Sequence, residues 1–294
     1  MRWLVTGARG LLGTDVAAHL CGRDGEHVAA LGRDELDVRD PAAVAAALDA
    51  HRPDVVVNCA AWTAVDAAEE HEAEALAVNG HAVRLLAEAC AARSVRLVHV
   101  STDYVFDGTA SEPYPEDAPP NPLGAYGRSK LAGERAALAH GHVVVRTAWL
   151  YGTHGENFVR TMLRRAAAGE RVAVVTDQVG QPTWSADLAA RLVALARTGA
   201  PPGVYHGTNA GQTTWFGLAR EVYAAAGADP ALVTPTTSAV LGRPAPRPAY
   251  SVLGHAGWAR AHLPPMRHWR QALRAAWPYL ADAAAAAPSP GGAR

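Results

Sequence analysis

Apolar residues fall in short, near-continuous blocks along this chain, separated by stretches whose apolar positions repeat at helical spacing. Arg2 to Thr6 is such a block and runs into glycine, and Asp15 to Leu20 then reads as a helix. His27 to Leu31 predicts a second strand, Pro41 to Ala50 a helix begun by proline, and DVVVNC at Asp54 to Cys59 a third strand. A helix is expected from about Glu72 to Ala92, a fourth strand at Val95 to Ser101, a helix over 126–139 and a fifth strand at His142 to Thr147. Strands that are apolar throughout, rather than alternating, are buried on both faces. With helices between them they imply a parallel sheet covered on both sides and wound right-handedly. Beyond Tyr151 the rhythm loosens into a helix at Asn157 to Ala168, a strand at Arg171 to Thr176, a helix at Ala186 to Arg197 and a short strand at Val204 to His206. The proline-rich stretches Glu112 to Pro122 and Pro235 to Pro248 are long connections of the kind that carry substrate contacts. The Ala, Pro, Ser and Gly of residues 281–294 predict a disordered tail.

Composition narrows the function. The 294 residues are 49% hydrophobic, enough for a sizeable core without staples. With 27 basic against 28 acidic side chains, nothing in the charge balance invites nucleic acid or anionic lipid. Three cysteines without a CxxC pair (Cys21, Cys59, Cys90) fit a reducing compartment and are expected to be small buried hydrophobes. There is neither a signal-type apolar region at MRWLVTG nor a membrane-length apolar run, so a cytoplasmic protein is expected. Among the 27 basic residues, 26 are arginine and one, Lys130, is lysine.

Gly7, Gly10 and Gly13 in TGARGLLG follow a strand and open a helix. In that context the first glycine permits a tight turn, the second lets backbone approach a pyrophosphate and the third lets helix pack on sheet. At the end of the second strand, where an acidic residue would hold the ribose hydroxyls of NAD, the chain reads Leu31-Gly32-Arg33. Arg33, with Arg9 in the glycine loop, can instead pair with a 2′-phosphate, which makes NADPH the expected cofactor and NADH the alternative. Tyr126 and Lys130 lie four apart on a predicted helix and share a face. A lysine ammonium beside a phenol is expected to lower its pKa and make it a proton donor and acceptor. If basic positions were interchangeable, the only lysine would land here once in 27. Ser101-Thr102-Asp103 ends the fourth strand, the edge where ligands sit in such folds.

With these residues in this order, the chain resembles the extended short-chain dehydrogenase/reductases, and within them the dTDP-4-dehydrorhamnose reductase family. The resemblance covers about residues 1–255. It is carried by TGARGLLG, ELDVRDP at Glu35, NCAAWTAVDAAE at Asn58, STDYVFDG at Ser101, YGRSKLAGE at Tyr126, RTAWLYG at Arg146, DQVGQPTW at Asp177 and GVYHGTNAGQTTW at Gly203. It implies a Rossmann-type α/β fold with strand order 3-2-1-4-5-6, a dinucleotide-binding domain over 1–155 and a smaller substrate-binding region over 156–280, of which about 186–209 returns to the sheet. It implies cofactor contacts from Gly10, Leu11 and Leu12 to the phosphates, from Asp37 and Val38 to the adenine, and from Ala60, Ala61, Trp62 and Thr63 along the dinucleotide. Thr102 and Asp103 would meet the sugar and Trp149 would stack on its ring. The implied reaction is hydride transfer from NADPH to C4 of a dTDP-linked 4-keto-6-deoxyhexose, with Tyr126 protonating the oxygen, Lys130 holding the ribose and Thr102 donating to the same oxygen. A homodimer is the family-level expectation. Some relatives use magnesium, but no carboxylate cluster here has ligand spacing, so no metal is expected.

Rival readings differ in identifiable residues. A 4,6-dehydratase would need an Asp-Glu pair after the threonine, whereas Tyr104 follows Asp103. An epimerase would share Tyr126 and Lys130 but not the DQVGQPTW and STDYVFDG stretches. An NADP-binding regulatory subunit without turnover, an antibiotic-sugar ketoreductase and a dihydrostreptose-type synthase are the remaining alternatives.

Overall fold

The computed structural model describes residues 1–285. The chain opens β1 (Arg2–Thr6), α1 (Leu11–Leu20), β2 (His27–Leu31), α2 (Pro41–His51) and β3 (Val55–Asn58). It continues through α3 (Val65–Glu70), α4 (Glu72–Leu76), a π turn at Ala77–His81, α5 (Ala82–Ala91), β4 (Arg96–Thr102), α6 (Ala125–Ala139), β5 (Val143–Thr147) and β6 (Leu150–Tyr151). Then follow α7 (Phe158–Ala167), β7 (Val172–Val175), β8 (Val179–Gly180), β9 (Thr183–Trp184), α8 (Ser185–Arg197) and β10 (Gly203–His206). The remainder is β11 (Thr213–Thr214), α9 (Trp215–Ala225), β12 (Val233–Thr236), α10 (Ser238–Leu241), α11 (Gly257–Arg260) and α12 (Trp269–Ala285).

Six strands form one all-parallel sheet in the order β10-β5-β4-β3-β1-β2. Val5, Val57, Val98 and Val145 project to one face and pack against Val16 of α1 and Leu188 and Leu192 of α8. Leu4, Val56 and Leu97 project to the other, under Val44 and Leu48 of α2 and Leu86 of α5. Each such side chain, removed from water, contributes roughly 1.5–3 kcal/mol. A third cluster joins α7, α9 and α12 to β7 and β12, around Val159, Val222 and Trp269.

The structure corrects three expectations and refines a fourth. The strand order is not 3-2-1-4-5-6, because β2 is the sheet edge and β3 lies on the other side of β1. After β2 the chain turns back at once, Glu35 and Leu36 donating to the Gly32 carbonyl, so that Leu36 and Val38 fold under α2 instead of extending as a further strand. The helix expected over 72–92 is present from Glu72 to Ala91, with one π turn inside it, at which Asn79 gives its side chain to Trp62 and Ser129. Cys21 is exposed rather than buried, at the end of α1. Finally, α12 runs to Ala285, so residues 281–285 of the expected disordered tail are helical, and the rest of that tail lies outside the described residues.

Candidate active site

The carboxyl ends of β1 to β4 meet along one edge of the sheet, where a doubly wound fold leaves its crevice. Gly7 turns there with φ +63°, and a β-carbon on it would come within 2.6 Å of the Ala60 nitrogen. A β-carbon on Gly13 would lie 2.3 Å from the Gly7 carbonyl, so this glycine brings α1 onto the loop. Gly10 precedes α1, and no side chain caps the helix, which leaves the first N–H groups of α1 facing the crevice. Beside them is a cavity of about 270 Å³. Gly7, Gly10, Arg33, Asp37 and Val38 line it, with Ala60, Ala61 and Trp62 opposite. Leu12 is buried in the core, so it can offer a ligand only backbone, and Thr63 is exposed outside the cavity. A glycine-walled cradle at an uncapped helix start fits a dinucleotide pyrophosphate. Asp37 is already engaged: Arg39 grips both of its oxygens at 2.6–3.1 Å and pulls its pKa down to about 2.

Tyr126 and Lys130 stand one turn apart on α6, whose axis follows β4 and β5. Lys130 is 2% exposed and donates from Nζ to the Val100 carbonyl at 2.6 Å. Burial pulls it down to about 8, with Glu134 working the other way. The Tyr126 ring meets Tyr104 edge-on, centroids 5.7 Å apart. Its phenol does not follow the expectation of a lowered pKa. Burial pushes it up to about 12, the Thr102 hydroxyl pulls the other way, and the nearby Asp103 carboxylate adds to the rise. At neutral pH Tyr126 is therefore a protonated acid.

Thr102 closes β4 and accepts from the Tyr104 N–H at 3.2 Å while donating to Asp103 Oδ1 at 3.0 Å. Asp103 is 3% exposed, and its Oδ2 has no hydrogen-bond partner. Burial pushes its carboxyl up to about 6, against hydrogen bonds from Ser251 and Thr102. Holding a carboxylate at about 6 instead of 3.8 costs the folded state about 3 kcal/mol at pH 7. Because the folded pKa is raised, the cost is present above pH 6 and vanishes below about 4. Asp103→Asn is thus expected to stabilise the protein by ~1–2 kcal/mol at pH 7–8, after a lost hydrogen bond, and to give no gain near pH 3.5. Urea denaturation at the two pH values checks this.

Behind Lys130 lies a buried polar layer. Glu134, one further turn along α6, forms a two-pronged pair with Arg146 of β5 at 2.9 and 2.8 Å, with both side chains at most 3% exposed. The Arg146 guanidinium also lies over the Phe106 ring. Nearer β1, Thr6 donates to Asn58 Oδ1 at 2.6 Å, and the Asn58 amide meets His99 Nδ1 at 3.1 Å. Burial holds His99 well below its usual range, so it is neutral and that nitrogen accepts.

A second cavity of about 790 Å³ opens between Tyr104 and the elements after Tyr151. Phe158 and Trp215 form an aromatic wall, and Arg165, Arg243 and Arg247 supply positive charge. Arg243 and Arg247 both reach Asp66 on α3, which also accepts from the Ala245 N–H, so the stretch 235–248 is tied to the edge of the sheet. Trp149 does not line this cavity. It lies flat on Trp215, 3.6 Å between centroids, with Gly180 against its ring so closely that a β-carbon there would be 2.5 Å away. Of the two stacked rings, Trp215 is the one that lines the cavity. Its position was readable: the threonine before it caps α9, accepting from the Gly217 N–H at 3.0 Å, which puts Trp215 in the first turn.

The family model described as RmlD substrate binding domain matches residues 1–281. The chain belongs to that family. Among similar proteins, a dTDP-4-dehydrorhamnose reductase of Streptomyces griseus is 54% identical over 286 residues, 95% of this chain and 94% of the relative. A dTDP-4-keto-6-deoxy-D-glucose reductase of Streptomyces niveus is 53% identical over 282 residues, covering 95% and 97%. The fold matches the crystal structure of a dTDP-4-dehydrorhamnose reductase from Bacillus anthracis in complex with NADP, with TM-score 0.90 and 34% identity over 94% of this chain and 98% of the other.

Proposed function

We propose that this protein reduces the C4 ketone of a dTDP-linked 4-keto-6-deoxyhexose with NADPH, converting dTDP-4-dehydrorhamnose to dTDP-L-rhamnose. The observation that supports the reading is that Thr102 ends β4 while Tyr126 and Lys130 stand one turn apart on α6, Tyr126 against Tyr104 of the larger cavity and Lys130 near Cys59 of the glycine-walled one. In this reading Gly10, Leu11 and Leu12 meet the cofactor phosphates through backbone, and Arg33 the 2′-phosphate. Bound NADPH supplies the hydride. Tyr126, protonated at neutral pH, gives its proton to the ketone oxygen as the alcohol forms. Lys130, charged below about pH 8, offsets the phenolate left behind. Asp103, its Oδ2 unmatched, takes a sugar hydroxyl, and Thr102 orients the ketone. Trp215 faces the sugar nucleotide, and the arginines of the second cavity face its diphosphate.

The same reading assigns residues 1–155 with about 186–209 to the cofactor and the rest of 156–280 to the substrate. It places the protein in the cytoplasm, consistent with three unpaired cysteines, and carries the family expectation of a homodimer. A second reading, reduction of a different 4-keto-deoxysugar, is favoured by the Streptomyces niveus relative, named for another keto-sugar at nearly the same identity. The deciding experiment follows NADPH absorbance with freshly made dTDP-4-dehydrorhamnose and identifies the product. Formation of dTDP-L-rhamnose supports the first reading. Turnover only with another member of a keto-sugar panel supports the second, and tight cofactor binding with no turnover on any member overturns both.

A further inference from the structure

The rim of the smaller cavity carries Arg9, Arg33 and Arg39, and the three are not equivalent. Arg39 is committed to Asp37 through both Nε and Nη2. Arg33 is exposed, and no hydrogen bond or ion pair of its side chain is formed with the described residues. Arg9 reaches across the end of β2 to Glu35, Nη2 to Oε1 at 2.8 Å. The crossing depends on Gly32, where a β-carbon would lie 2.5 Å from the Arg9 stem. Glu35 is fixed from the other side as well, its Oε2 accepting the Gly32 N–H at 2.7 Å. That hydrogen bond, with Arg9, holds its pKa below the usual carboxylate value, so it is ionised at neutral pH. An acidic side chain thus stands at the end of β2 after all, two residues beyond Arg33 and carried there by the tight turn at Gly32.

We infer that Glu35 sets the choice between the two nicotinamide dinucleotides in this protein, because its anchored carboxylate neutralises Arg9, offers an acceptor to a ribose 2′-hydroxyl and opposes a phosphate at that position. The inference rests on the dinucleotide reading of the cavity. With Glu35 in place, Arg9 and Glu35 cancel, and Arg33 alone remains to attract a 2′-phosphate of charge near −2. A chain so arranged accepts NADH as well as NADPH. Removing the charge leaves both guanidiniums free for the phosphate and removes the acceptor for the hydroxyl, so the two affinities move in opposite directions.

Glu35→Gln keeps the size of the side chain and an oxygen for the Gly32 N–H while deleting the charge, and the residue is exposed, so folding is undisturbed. The dissociation constants of NADP⁺ and NAD⁺ are measured by titration calorimetry on the native protein and the variant, at low and at high salt. The expected result is a ratio shifted toward NADP⁺ by about tenfold at low salt, shrinking as salt is added because the rim is exposed. Arg9→Ala, which removes the partner instead, is expected to shift the ratio the opposite way. An unchanged ratio in Glu35→Gln, or equal changes for both dinucleotides, overturns the role of Glu35 and leaves the cofactor site standing. Failure of the native protein to bind either dinucleotide overturns the site itself and the inference with it.

Discussion

Tyr126→Phe is expected to lower kcat by roughly 10²–10⁴-fold while the NADP⁺ dissociation constant stays within about twofold. The substitution removes one oxygen and keeps the ring that meets Tyr104 edge-on, so the packing of α6 is preserved. What disappears is the acid. The phenol holds its proton up to about pH 12 as the site stands, and no neighbouring group replaces it: the Thr102 hydroxyl hydrogen already points to Asp103, and Lys130 is bound to the Val100 carbonyl. Steady-state kinetics beside calorimetric titration of NADP⁺ separates the two effects. Loss of cofactor binding in parallel with turnover would sink the proton-donor assignment and make Tyr126 a wall of the cofactor site.

Breaking the buried pair behind the site is expected to have the largest effect on stability. Glu134→Leu leaves the Arg146 guanidinium at 3% exposure with only the Phe106 face and a long contact to the Glu116 carbonyl, 3.4 Å, to compensate its charge. The expected cost is about 3–5 kcal/mol, whereas Glu134→Leu with Arg146→Met together should recover most of it, because two apolar residues need no pairing. Denaturant titration of the single and double variants measures the difference. A double variant as unstable as the single would mean that packing volume, not charge, decides the site. The pair also bears on chemistry, since the negative charge of Glu134 is one of the few influences holding the Lys130 proton against burial.

Much of this architecture was legible because its signals are local. The blocks VVV at 55–57 and 143–145 are strands for the reason that made them readable, burial on both faces. The glycine loop announces its own turn, and the lone lysine singles out one turn of α6. What escaped was set by contacts distant in sequence or by solvation. The edge position of β2 follows from a turn at Gly32 that buries Leu36 and Val38, which an ELDV segment also compatible with a strand does not disclose. The π turn at residues 77–81 answers to Trp62 and Ser129, far from it along the chain. That Trp149 stacks on Trp215, 66 positions away, is likewise not disclosed by the sequence around it. The Tyr126 phenol was expected to fall because its neighbour is cationic, and it rises because water is excluded, a quantity no spacing rule contains.

The position of β10 bears on how the chain is made. This strand completes the parallel sheet by pairing with β5 across the intervening segment 148–202, and α8 from that same late segment covers α1. A nascent chain that has emerged only as far as residue 155 holds five of the six strands and the glycine loop, with Val16 and Leu20 of α1 packed on the sheet, but the flank of α1 that α8 covers is still open. Its partners Leu188, Leu192 and Leu195 arrive some forty residues of synthesis later. Closure of the first-made half therefore waits on the second. Pairings so remote in sequence form slowly, and the interval before α8 docks is when this protein most needs protection from aggregation.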